Sequence, residues 1–115
     1  LKRDGNNLVY DLHINFIDAV LGTSVEVPSI GGKVRIKIEP GTQSGKILRL
    51  RGKGLKDING YSAGDQLIYI NVYTPKKVSN EEKLKLESLR NSPNFQPHPE
   101  SGEKGFFERM KEYLG

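Results

Sequence analysis

From Gly31 to Asp65 the chain repeats one pattern: short alternating segments broken by Gly-rich turns. Lys33-Val34-Arg35-Ile36-Lys37-Ile38 puts three β-branched residues on one side and three cations on the other. That alternation predicts a strand with one dry and one wet face. Pro40-Gly41-Thr42-Gln43-Ser44-Gly45 reads as a turn, because Pro presets one backbone angle and Gly tolerates positive φ. Lys46 to Arg51 then alternates again, with Leu48 and Leu50 inward and Arg49 and Arg51 outward. A Gly-rich loop runs from Gly52 to Gly64. A chain patterned this way folds as a small β-domain.

The flanks extend the pattern. Asp4-Gly5-Asn6-Asn7 reads as a turn. Leu8, Tyr10, Leu12 and Ile14 alternate with Val9, Asp11, His13 and Asn15 and predict a first strand. Phe16 to Leu21 predicts one or two helical turns stopped by Gly22, and Thr23 to Pro28 a strand with Val25 and Val27 on one face. Gly31-Gly32 predicts a tight hairpin turn. Gln66 to Thr74, ended by Pro75, is apolar enough to predict a strand buried on both sides.

The period changes after Pro75. Ser79-Asn80-Glu81-Glu82 matches a capping box and predicts a helix bearing Leu84, Leu86 and Leu89. Pro93, Pro97 and Pro99 make 91–102 a linker. Phe106, Met110 and Tyr113, with Phe107 and Leu114, form an apolar stripe on a last helix. The stripe has two open readings: it folds back onto its own sheet, or it covers a second copy of the chain. The expected organisation is a mainly β, antiparallel two-sheet sandwich over 1–77, then a helical segment over 78–115.

Several chemistries find little support. With no cysteine and only His13 and His98, disulfides and thiolate zinc sites are excluded and a histidine metal site is unsupported. Gly41 to Ile47 is one residue short of a phosphate-binding P-loop and leads into a strand, not a helix. Glu81 and Glu82 are first-turn anions favoured by the helix dipole. No Ser/His/Asp arrangement stands out. No run is long and apolar enough to span a membrane, and no signal peptide is visible. The missing initiator Met implies a fragment of something larger.

Charge is the remaining lead. The net charge is +4, and residues 33–56 hold Lys33, Arg35, Lys37, Lys46, Arg49, Arg51, Lys53 and Lys56 against Glu39 alone. Such a stripe either keeps a strand face solvated or meets an acidic partner. Lys46, Arg49, Arg51 and Lys53 are the candidate acidic-partner face. They also underlie the rival reading, a salt-sensitive polyanion- or nucleic-acid-binding β-barrel. Few aromatics are interleaved with these cations, which counts against base stacking.

Taken in order, several segments resemble the second C-terminal β-domain of bacterial DnaJ-type J-domain co-chaperones. They are Arg3-Asp4-Gly5-Asn6-Asn7-Leu8, Ala19-Val20-Leu21-Gly22, Val27-Pro28, Ile38 to Gly45, Arg49-Leu50-Arg51-Gly52-Lys53-Gly54 and Gly64-Asp65. Gly105-Phe106-Phe107-Glu108-Arg109-Met110-Lys111 is similar to the family's C-terminal end, where the last segment joins two protomers. Pro97-His98-Pro99-Glu100 approaches the J-domain His-Pro-Asp signature but carries Glu for Asp and reads as linker. The resemblance implies a cytoplasmic, non-enzymatic, homodimeric chaperone module. It implies unfolded polypeptide as client, a DnaK-type ATPase chaperone as partner and no membrane, and it disfavours nucleic acid. The family's zinc belongs to a cysteine-rich module without counterpart here, so no cofactor is expected in this chain. Phe106, Phe107, Met110, Tyr113 and Leu114 are the implied dimerisation residues, helped by Leu84, Leu86 and Leu89.

Overall fold

The computed structural model describes residues 1–57, 60 and 62–98. The chain divides into two compact units, Leu1–Pro75 and Lys76–Gly115.

The first unit contains β1 (Lys2–Asp4), β2 (Asn7–Asn15), α1 (Phe16–Leu21), β3 (Thr23–Ser29), β4 (Gly32–Ile38), β5 (Ile47–Leu50) and β6 (Gln66–Tyr73). A four-stranded sheet runs β1-β2-β6-β5, and β3 pairs with β4 in a second sheet. The two-sheet β architecture is as the alternation predicts. One pairing departs from the expected antiparallel order: β2 and β6 run parallel, Leu8 opposite Gln66 through Asn15 opposite Tyr73. The long excursion through α1, β3, β4 and β5 returns the chain to the start of β2, which a short hairpin cannot do. Alternation carries no information about strand direction.

One core lies between the layers. Leu12, Ile14, Ile68 and Ile70 of the larger sheet meet Val27, Ile36 and Ile38 of the smaller, with Ala19 of α1 closing one side. Burial on both sides holds only for the first half of β6. Leu67, Ile68 and Ile70 are buried, while Tyr69 and Tyr73 are exposed. The tyrosine positions face away from the second layer, which covers only one face.

Local chemistry explains the ends of the elements. Asn15 caps α1 by accepting from the Asp18 N–H at 2.8 Å, and Gly22 leaves the helix at φ 82°. A side chain at Gly22 would meet the Ile38 carbonyl and the Pro40 ring. The β3–β4 turn sits one residue earlier than expected: Ser29 pairs with Gly32, so Ile30 and Gly31 form the loop. Gly32, at φ 130°, already belongs to β4. The short edge strand β1 carries no apolar alternation and was not evident in the sequence.

In the second unit, α2 spans Asn80–Leu89. The Ser79 hydroxyl accepts from the Glu82 N–H at 3.1 Å, and the Glu82 carboxylate accepts from the Ser79 N–H at 2.8 Å. The predicted capping box is therefore formed in full. A single 3-10 turn follows at Pro93–Phe95.

Candidate functional site

The residues that make the sequence recognisable converge on one end of the larger sheet. Asp65 is their hub. Its carboxylate lies 3.3 Å from the Arg49 Nε and accepts from the Gly52 N–H at 2.9 Å. Its backbone N–H donates to the Asn7 Oδ1 at 2.8 Å, and its carbonyl accepts from the Leu8 N–H at 2.9 Å. The loop 52–65 is thus clipped to the β1–β2 turn.

Two glycines permit that approach. The Gly54 N–H donates to the Gly64 carbonyl, the Gly64 N–H to the Leu55 carbonyl, and the Leu55 N–H to the Asn6 carbonyl. A Cβ at Gly54 would lie 2.5 Å from the Asn6 carbonyl oxygen, and one at Gly64 would collide with the same peptide. Both positions exclude a side chain because backbone passes where it would be. Asn6 and Asn7, read from sequence only as turn residues, are the receptors for this loop.

The Pro40–Gly45 turn is equally committed to structure. The Gly41 and Thr42 N–H groups donate to the Ala19 carbonyl at the end of α1. The Gly45 N–H donates to the Ile70 carbonyl, and the Ser44 hydroxyl accepts from the Val72 N–H at 3.0 Å. Amides that a phosphate cradle would leave open are here spent on the fold.

The proposed acidic-partner face is not uniform. Arg49 is neutralised by Asp65. On β4, Arg35 pairs with Glu26 at 3.5 Å and Lys37 with Glu39 at 3.7 Å. Lys46, Arg51 and Lys53 are exposed, and no ion pair involves them among the described residues. Lys53 lines a groove between the β3–β4 turn and the Gly52–Lys56 loop, together with Lys33, Lys56 and the aliphatic Ile30, Val34 and Leu55. Lys33 and Lys56 belong to the same charge run, but their convergence on Lys53 depends on tertiary structure.

Gln66 is fully buried at the start of β6 and donates from Nε2 to the Pro28 carbonyl at 2.6 Å. This bond ties the larger sheet to β3. Its apolar neighbours in sequence hid it.

His13 is exposed on β2 opposite Asn71. The His98 Nε2 lies 3.4 Å from the Pro93 carbonyl, while Pro99 and Glu100 fall outside the described residues. So do Phe106, Phe107, Met110, Tyr113 and Leu114. Leu84, Leu86 and Leu89 are exposed, and α2 buries none of its residues. Glu82 has its pKa lowered, chiefly by the hydrogen bond from the Ser79 backbone and then by the Ser79 side chain, with desolvation opposing and Lys85 adding a lesser attraction. Among the described residues no group of three His, Cys, Asp or Glu is placed to hold a metal. No helix there is long and apolar enough to cross a membrane.

Comparison with known proteins matches residues 1–75 to the DnaJ C terminal domain. The chain is similar to the chaperone protein DnaJ of Bacteroides fragilis, 54% identical over 106 residues that cover 92% of this chain and 27% of that protein. It is 49% identical to the chaperone protein DnaJ of Bacteroides thetaiotaomicron over 114 residues, 99% of this chain and 28% of the relative. With that of Salinibacter ruber it shares 46% identity over 113 residues, 96% and 29% of the two chains. The chain therefore spans less than a third of the length of these relatives.

Proposed function

Because the chain belongs to the DnaJ C-terminal domain family, we propose that it is the scaffold and assembly part of a co-chaperone, one that holds unfolded polypeptide and joins two copies through its C-terminal segment. On this reading it works in the cytoplasm, supports delivery of clients to a DnaK-type ATPase chaperone, and carries out no catalysis itself.

The observation that carries the reading is how the motif residues are used. Arg49, Asp65, Gly54 and Gly64 hold loops together, whereas Ile17, Leu21, Ile30 and Ile47 remain exposed. Polar groups spent on the fold, with these aliphatics left exposed, suit binding of apolar segments. Exposed leucines on α2 favour a partner surface for that helix. The nucleic-acid alternative is weakened by the neutralisation of Arg49, Arg35 and Lys37 within the fold.

The test is light scattering of a chemically denatured enzyme diluted into buffer with and without the chain. A several-fold molar excess of the chain is expected to slow aggregation. Scattering curves that coincide at every ratio would overturn the polypeptide-binding reading.

A further inference from the structure

Cations in residues 33–56 sort into two classes. Arg35, Lys37 and Arg49 each face a carboxylate within 4 Å. Lys33, Lys46, Arg51, Lys53 and Lys56 are exposed and make no ion pair among the described residues, and three of them, Lys33, Lys53 and Lys56, line one groove. One wall is the β3–β4 turn and the other the Gly52–Lys56 loop; no Asp or Glu is among the described lining residues. The Asp65 clip holds the loop wall, and the ladder from Ser29–Gly32 onward holds the turn wall. Ile30 is exposed at the rim, and Val34 and Leu55 are half-buried within.

We propose that this groove docks an extended segment of unfolded polypeptide carrying carboxylates beside an aliphatic side chain. The inference rests on the polypeptide-binding reading and narrows it to one surface and one chemistry. Three uncompensated ammonium groups in a concave site set up a field that concentrates carboxylates. The aliphatic lining supplies apolar contact that a carboxylate alone would not use. Lysine suits a variable client, since it offers a flexible point charge without the fixed fork of arginine. No aromatic side chain is among the described residues that line the groove, so a nucleic acid fits it less well.

The test uses the full 115-residue chain and three fluorescein-labelled probes: a hexapeptide alternating Glu and Leu, its Gln/Leu counterpart, and an oligo-dT strand. Anisotropy is expected to report binding of the Glu/Leu peptide that weakens about tenfold in Lys33→Gln/Lys53→Gln/Lys56→Gln. The Arg35→Gln/Lys37→Gln control is expected to change it by less than about twofold. Raising salt on the unaltered chain should weaken the Glu/Leu peptide and spare the Gln/Leu peptide, an arm that stands if the triple variant misfolds. Equal binding of both peptides, or an unchanged triple variant, would overturn this proposal and leave polypeptide binding intact. Failure of both peptides together with failure to slow client aggregation would remove the parent reading as well. Oligo-dT binding tighter than the peptide and lost in the triple variant would reassign the groove to nucleic acid.

Discussion

Arg49 Nε and Asp65 Oδ2 lie 3.3 Å apart where β5 ends and β6 begins, and the other carboxylate oxygen of Asp65 holds the Gly52 N–H at 2.9 Å. The two partners are unequal. Arg49 makes one half-exposed ion pair, whereas Asp65 fixes a loop through its side chain and both its backbone groups.

Asp65→Ala should therefore cost about 1–2 kcal/mol, the worth of a charge-assisted hydrogen bond and its partner. Arg49→Ala should stay within about 1 kcal/mol, as for other exposed pairs. Urea unfolding of the two variants checks this. Equal losses would mean that the ion pair, not the loop clip, carries the energy.

Gly64→Ala forces a methyl into the Asn6 peptide, and Gly54→Ala brings one within 2.5 Å of the same carbonyl. Backbone cannot yield as a flexible side chain does, so each should cost about 3 kcal/mol. Gly31→Ala meets nothing within 4 Å and should stay within about 0.5 kcal/mol. Thermal melts of the three variants rank them. A Gly31 variant as damaged as the other two would refute the close-approach argument.

Gln66 is a buried polar residue at the join between the sheets. Gln66→Glu keeps its shape and adds a charge that burial disfavours, so its carboxyl pKa should rise. The penalty is then largest at neutral pH and shrinks as acid protonates the group. About 3 kcal/mol or more is expected at pH 7, against clearly less at pH 4. Denaturant midpoints at both pH values decide. A loss independent of pH would place the group in contact with water.

Alternation made the strands legible, and most visibly β4, because a one-sided core imposes period two on the residues that face it. The capping box at Ser79 and Glu82 was legible because it is local. What stayed hidden depends on register. Glu26 neutralises Arg35 because they sit opposite each other in the β3–β4 ladder, and no local count reveals that pairing. The same is true of the parallel run of β2 with β6 and of the meeting of Lys33 with Lys53 and Lys56. The charge run was visible in the sequence, but which of its cations remain unpaired was not.

The capping box gives α2 a pH dependence of known sign. Hydrogen bonds from Ser79 lower the Glu82 pKa in the folded state. Its contribution is thus present above the unfolded-state pKa and is lost as pH falls through the lowered folded value. Far-UV circular dichroism on acidification should show helix lost over that range, and Glu82→Gln should flatten the profile. Ser79→Ala should cost the helix about 1 kcal/mol at neutral pH. An unchanged profile in Glu82→Gln would assign the acid response to other groups.

The proposed assembly should be separable from folding, because α2 buries none of its own residues. Leu86 and Leu89 lie three apart, so they share a face, and each is more than 40% exposed. If a second copy covers that face, Leu86→Ala with Leu89→Ala removes apolar burial worth about 1.5–3 kcal/mol per side chain. The dimer dissociation constant should then rise by at least tenfold, with the thermal stability of Leu1–Pro75 unchanged. Phe106→Ala with Phe107→Ala should act more strongly and yield a folded monomer. Sedimentation across a concentration series reads both. A dimer mass unaltered in both double variants would exclude the C-terminal segment as the assembly arm, and a lowered β-domain melting temperature would mean that these residues serve the fold of one chain.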